Sequence, residues 1–461
     1  MLERNLNIMK INNILLSLLI LFICLVVSIV CFFEQINGIY KYIFLLPIVY
    51  CVLFLIILNP LMKKSKSYTV KIFTFCCALR YVLHPLLLSL YPIYGFSRFE
   101  NYNINSINMA LFLMMYELII CSLLLKYFCY NFTIPNKVER YIDLPNGNVI
   151  IIGFIIIALL IFFIIPETRS RISFFALKTN TNMRISAIQM TTFKYFLEQI
   201  FQIGRLALYI VIVVICQNKF RINKKKRYII FAFLVSVLNL GIIIGEARSV
   251  QVQFGFAAVY LLSQCFPEYS RKMSNILIIT AGLIIILMTI YKQFYAFKYD
   301  SYLTAIINFD IDMYEITKTS EIYLLGPQSV SSAMMLKNLN IEFNIKRLLF
   351  DFVRSFMGLN FIAKKIDMQT TSVIYNLFVT NGYSTNGYLI PITAQGYLYF
   401  GWILSPILLC LFLKLSLFLE KTFRTSQSAY TIFFMAYLFA RSSTCIVASN
   451  INTVITNVSM F

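Results

Sequence analysis

The chain has 461 residues, 60% hydrophobic and 13% charged, with a mean hydropathy of +0.78. A water-soluble globular protein is about 25% charged, so length does not translate here into a number of soluble domains. The net charge of +21 lies between apolar runs rather than in a soluble basic domain, which argues against nucleic acid as a partner, and the cysteines form no C-x-x-C pair of the kind a zinc site or disulfide framework uses.

Apolar runs of about 20 residues can each cross about 30 Å of hydrocarbon as a helix. In chain order they predict helices near residues 12–32, 40–58, 70–91, 107–128, 148–165, 199–216, 228–244, 249–266, 275–296, 387–418 and 429–447. The fold class expected is an all-α integral membrane protein, a polytopic helical bundle of roughly 11 transmembrane helices, or 12 if residues 444–461 make a short further crossing. The first run lacks a small-residue cleavage site and reads as a retained anchor. The run 387–418 is too long for one straight span, so 387–396 reads as a re-entrant segment. The organisation is then 1–165 (helices), 166–198 (a basic loop), 199–296 (helices), 297–386 (a large loop) and 387–461 (helices).

Lys and Arg set the orientation. Lys63, Lys64, Lys66 and Lys71, then Lys137 and Arg140, then Lys219 to Arg227, Arg271 with Lys272, and Lys421 with Arg424 occupy alternate connections. With Arg4 and Lys10 they place the N-terminus in the cytoplasm and both long loops on the outer side. The smaller outer loop carries Arg169, Arg171 and Arg184 beside Glu167. The larger exceeds the length of about 15 residues beyond which loops are usually functional or disordered. Within it Ile345, Leu348, Leu349, Phe352 and Phe356 share one helical face, and Arg347, Asp351 and Arg354 another. That is an amphipathic helix suited either to the membrane interface or to packing the loop onto the bundle.

Ionisable residues at membrane depth need a partner or a purpose. Arg80 and Glu117 fall at matching depth on adjacent antiparallel runs and predict an ion pair. His84, the only histidine, precedes Pro85 and either satisfies a backbone carbonyl or has a catalytic role. Arg248 lies in N-L-G-I-I-I-G-E-A-R-S-V-Q (239–251), a very short outer turn that Gly245 allows. A guanidinium held there can grip diphosphate oxygens bidentately, or else contact head groups or Glu246. Arg205 and Arg441 approach the outer boundary from other helices, and with Arg248 they would form a cationic pocket if those helices meet.

P-loop, dinucleotide and H-E-x-x-H motifs are missing from the sequence. Asp310-Ile311-Asp312 is a spacing that chance often produces, and no metal or cofactor is assigned. Transfer from a lipid diphosphate is chemically sensible without a metal, because the diphosphate leaves readily and arginines stabilise its charge. The acceptor hydroxyl needs a base, for which Glu246, Glu167 and Asp351 are candidates.

The G-E-A-R-S turn (245–249), and N-G-Y-L-I-P-I-T-A-Q-G-Y-L-Y-F-G-W (386–402) with Gly396 and Gly401 five apart, resemble the Wzy-type oligosaccharide repeat-unit polymerases of O-antigen and capsular polysaccharide. Arg347 followed by Gly358 matches a spacing of some members, and the architecture of unequal outer loops is similar over most of the chain. The related O-antigen ligases carry a histidine shortly before the corresponding Asn, where this chain has Tyr383-Ser384-Thr385. The resemblance implies a multi-pass enzyme of the bacterial cytoplasmic membrane that joins repeat units on undecaprenyl diphosphate at the outer leaflet, working beside membrane lipid, a flippase and a chain-length regulator. Arg248, Glu246 and Arg441 are the catalytic candidates that their positions offer for this chemistry. Arg169, Arg171, Arg184, Arg205, Arg347, Arg354, Asn386 and Tyr388 would bind diphosphate or glycan. The competing class is a flippase or other secondary transporter, which would show broken helices in related halves and charges along a central path. Here the charges gather at the outer boundary and the loops are asymmetric, which favours an enzyme.

Overall fold

The structure is a computed structural model that describes residues 2–34, 38–93, 104–130, 132, 142–144, 148–166, 168, 172–174, 192–244, 248–290, 312–339, 341–363, 365–385 and 387–459. It is predominantly α-helical. Among the described residues five helices are long and apolar enough to cross a membrane: Leu15–Glu34, Leu45–Ser65, Tyr68–Leu90, Ile104–Tyr130 and Phe196–Asn223. A sixth span arises if Ile392–Leu404 and Ile407–Thr425, bent by 107° at their junction, are taken together. The other predicted runs are helical as Asn148–Ile164, Arg227–Gly241, Arg248–Cys265, Ser270–Ile290 and Ala429–Ser443.

The chain divides into two compact units. The first comprises Met1–Ile134, Asp312–Phe418 and Ser442–Thr456. Its core packs the first four apolar helices with helices from the 313–404 segment. Two of those spans contain a π-turn, Phe54–Leu58 and Leu79–Leu83, and the second carries Arg80 and leads into His84. Single π-turns of this kind often mark functional positions.

In the 312–379 segment three helices begin at a side-chain cap. Asp312 Oδ1 accepts from the amides of Tyr314 and Glu315, starting Met313–Leu324. Asn344 caps Ile345–Ser355 through the Arg347 amide, and Thr370 caps Thr371–Val379 through the Val373 amide. Asp312 of the D-x-D sequence therefore serves as a helix cap.

The two glycines of the 386–402 stretch have different physical reasons. Gly401 has φ 76°, left-handed backbone that breaks Ile392–Leu404 near its end. Gly396 lies against the Ser405 carbonyl, where a Cβ would collide. Together with Pro406 they shape the sharp bend, which comes about ten residues later than the re-entrant segment expected at 387–396. The alternative of a further crossing at 444–461 is corrected: the helix there is Ile451–Val458, about 12 Å long against about 30 Å of hydrocarbon. It packs on Ile345–Ser355 instead, with Asn452 Nδ2 donating to Ser355 Oγ (2.7 Å) and Thr456 Oγ1 to Ser355 O (2.9 Å).

The second unit comprises Pro135–Ile311, Leu419–Arg441 and Asn457–Phe461. Tyr209, Phe254 and Phe433 form an aromatic cluster in it, with ring centroids 5.1 to 5.8 Å apart. A short antiparallel ladder pairs Ile172–Phe174 with Ile242–Ile244, Ile172 opposite Ile244. It ties the start of the smaller loop to the stretch just before the Arg248 turn.

Candidate active site

Helix 345–355 has an unusual polarity. Ile345, Leu349 and Phe352 are 60%, 58% and 46% exposed, whereas Asp351 is fully buried. These three apolar side chains face outward, Leu348 and Phe356 of the same stripe pack partly buried against the core, and the carboxylate points inward. The buried carboxylate has specific partners, as burial of a charge requires. Oδ1 accepts from the Thr371 amide (2.9 Å), and Oδ2 accepts from the Tyr399 hydroxyl (2.6 Å) and more distantly from Gln395 Nε2 (3.4 Å). Tyr399 also hydrogen-bonds the Thr371 hydroxyl. Burial pushes the Asp351 carboxyl above its ordinary range, while the Tyr399 and Thr371 bonds and the Arg347 charge pull it back down.

Tyr399 is half-buried, so the pair has one member within reach of a ligand. Its ring meets Phe343 edge-on at 6.3 Å, and the Arg347 guanidinium lies over Phe343 at 5.7 Å. Arg347 is anchored by donating from Nε to Glu342 O (2.9 Å) and from Nη1 to Gln369 O (3.1 Å). Its Nη2 makes no hydrogen bond among the described residues. A fixed cation, two aromatic rings and a carboxylate-bound hydroxyl thus lie in sequence. Arg354 is two turns from Arg347 on the same helix and half-buried. Tyr388 is held by its backbone: its amide donates to Asn376 Oδ1 (2.8 Å) and its carbonyl accepts from Asn376 Nδ2 (3.0 Å). Asn386 lies outside the described residues.

Deeper in this unit, Arg80 and Glu117 form the expected ion pair at 3.2 Å. Arg80 also donates to Leu325 O (3.2 Å) and Ile446 O (3.0 Å). Tyr81 and Thr393 donate to the same glutamate. Helix Ile392–Leu404 therefore serves both clusters, Thr393 reaching Glu117 and Gln395 and Tyr399 reaching Asp351.

In the second unit, Arg205 Nη1 donates to Ile242 O (3.3 Å) at the ladder, an oxygen that also accepts from Gln251 Nε2 (3.1 Å). Arg205 and the largely buried Arg441 both act electrostatically on Tyr437, so these two arginines come to one place. Arg248 opens helix Arg248–Cys265, and its side chain lies outside the described residues. Glu246, Glu167, Arg169, Arg171 and Arg184 lie outside them too.

Tyr399, Thr371 and Phe343 were not singled out by sequence reasoning. Tyr399 does fall inside the 386–402 stretch, and its spacing from Gln395 and Thr393 on one helix was the available signal. The chain matches no family model, no curated protein and no solved structure.

Proposed function

We propose that this chain is a membrane glycosyltransferase that polymerises lipid-linked oligosaccharide repeat units at the outer leaflet of the bacterial cytoplasmic membrane. The observation that carries this reading is Asp351, a buried carboxylate on a helix that exposes Ile345, Leu349 and Phe352, hydrogen-bonded to a half-buried tyrosine. An exposed apolar stripe on a helix with arginines along it suits the boundary between lipid and water. A lipid-borne diphosphate would present its sugar there, and Phe343 and Tyr399 offer flat apolar surface to a sugar ring. Arg347 Nη2 is a spare donor for a phosphate oxygen. Arg205, Arg441 and Arg248 would hold a second diphosphate or anionic glycan. The full topology of about eleven spans, N-terminus inside, belongs to the same reading.

In the reaction, the acceptor sugar's hydroxyl oxygen forms a bond to the donor's anomeric carbon as the bond from that carbon to the diphosphate breaks. The hydroxyl proton passes to Tyr399, whose own proton moves to Asp351. The diphosphate takes the bonding electrons, and arginine stabilises the charge developing on it. In this scheme Asp351, one of the three candidates, is the base; Glu246 and Glu167 lie outside the described residues.

The test is complementation of a strain lacking its repeat-unit polymerase. A ladder of surface glycan supports the reading. Glycan restricted to single repeat units refutes it. Loss of lipid-linked units from the outer leaflet on deleting this chain would identify a flippase instead.

A further inference from the structure

The first unit holds a second cluster that glycosyl transfer does not use. His84 and Glu321 are both fully buried, with Nε2 and Oε2 2.6 Å apart. The other ring nitrogen, Nδ1, is 2.9 Å from Ser320 Oγ. Ser320 and Glu321 are consecutive residues of helix Met313–Leu324, and they hold the imidazole from its two nitrogens. Glu321 cannot swing away: its Oε1 accepts from the Ser329 amide (2.7 Å), and its backbone carbonyl accepts from Ser329 Oγ (3.2 Å). Gly326 lies against both Glu321 Oε2 and His84 Nε2, where any Cβ would collide. The pair therefore requires glycine at that position. Ser320, unlike its partners, is partly exposed.

We infer that Ser320, His84 and Glu321 form a nucleophile–base–acid relay acting on a carboxylic ester. A hydroxyl of a partly exposed serine on a base that a third, buried group orients is the arrangement that activates serine. A carboxylate only accepts, so His84 carries its proton on Nε2 toward Glu321, and Nδ1 is left to accept from Ser320. The hydroxyl also reaches Thr317 O (2.7 Å), and turning toward Nδ1 gives up only that local bond. In the reaction Oγ bonds to the ester carbonyl carbon and its proton moves to Nδ1. The adduct collapses as the carbon–alkoxy bond breaks, and the leaving alcohol takes that proton. Water or a second alcohol then releases the acyl group from Ser320 by the same steps reversed.

The test uses the purified full-length protein in detergent and a fluorophosphonate probe, with the labelled peptide located by mass spectrometry. Labelling is expected at Ser320, absent in Ser320→Ala and slowed about 100-fold or more in Glu321→Gln. In that variant the amide oxygen stays toward the Ser329 N–H, so its NH2 faces His84 and forces the ring proton onto Nδ1. The geometry of both contacts is retained, so the variant is expected to fold, with thermal unfolding as the check. His84→Gln should be equally slow, and if it does not fold the decision rests on Glu321→Gln. A monodisperse wild type that stays unlabelled at Ser320, or a folded Glu321→Gln labelled at the wild-type rate, overturns the inference. The readout needs no glycan and is independent of polymerisation.

Discussion

Asp351→Asn separates the chemistry proposed for this carboxylate from its role in folding. Oδ1 faces the Thr371 amide, so the substituted side chain keeps its oxygen there and turns its NH2 toward Tyr399 and Gln395. The Tyr399 hydroxyl can accept from that NH2 and donate to Thr371 Oγ1. Gln395 can reverse its amide, since its Oε1 is buried and makes no hydrogen bond among the described residues. The network survives with one charge removed, at a cost of about 1 kcal/mol, partly offset because no charge remains to be desolvated. Asp351→Ala instead leaves the Thr371 amide and Gln395 Nε2 short of an acceptor, a loss of about 3 kcal/mol. Removing a general base slows transfer about 100- to 10,000-fold, or about 3 to 5 kcal/mol on the barrier. The assay is the initial rate of chain extension on purified lipid-linked repeat units, with thermal unfolding in the same detergent. An Asp351→Asn protein of near-wild-type stability that extends chains within about threefold of the wild-type rate would refute the base.

Tyr399→Phe removes the hydroxyl that carries the proton to Asp351 and should slow extension by about 100-fold, with the glycan ladder collapsing toward single units. The raised Asp351 carboxyl moves the acidic limb of the pH–rate profile upward: activity is full above the raised value and falls as protonation removes the base. A profile breaking at or below the ordinary value of 3.8 contradicts this. The sign for stability is opposite, because the folded protein holds the proton more tightly than the unfolded chain. Stability contributed by this group declines as pH rises from 3.8 through the raised value, which unfolding midpoints across that window would show. Glu117→Ala strands the buried Arg80 guanidinium and should cost about 3 to 5 kcal/mol, read as loss of monodisperse protein, whereas an unchanged melting temperature would remove the pair from the framework.

Where a structural feature depends on neighbours in sequence or on depth in the membrane, it could be read beforehand. The Arg80–Glu117 pair was such a case, because two adjacent antiparallel runs put both charges at one depth and left each little alternative. The apolar runs were legible for the same reason, but their ends were not. Helix 227–241 stops where residues 242–244 join a ladder with residues 172–174, a pairing that its own hydropathy does not encode.

The site resisted reading because its contacts are non-local and because polarity does not state its own direction. The spacing of Ile345, Leu349 and Phe352 against Asp351 defines a two-faced helix, and in water the apolar face would turn inward. Here those three side chains are exposed and the carboxylate is inside, an orientation that the proposed place at the lipid–water boundary would account for. Asp351 then meets Thr371 and Tyr399, 20 and 48 residues further on, and His84 meets Glu321 at a separation of 237. A lone histidine before a proline carries no signal of a glutamate that far along the chain. What does carry one is Gly326, in the link between helices Met313–Leu324 and Pro327–Met335, whose missing side chain is required by the two groups it touches and not by its own backbone, φ being -71°. Gly326→Ala should therefore break the His84–Glu321 contact before it disturbs anything else. The reasoning fails if that variant keeps both the wild-type melting temperature and the wild-type rate of Ser320 labelling.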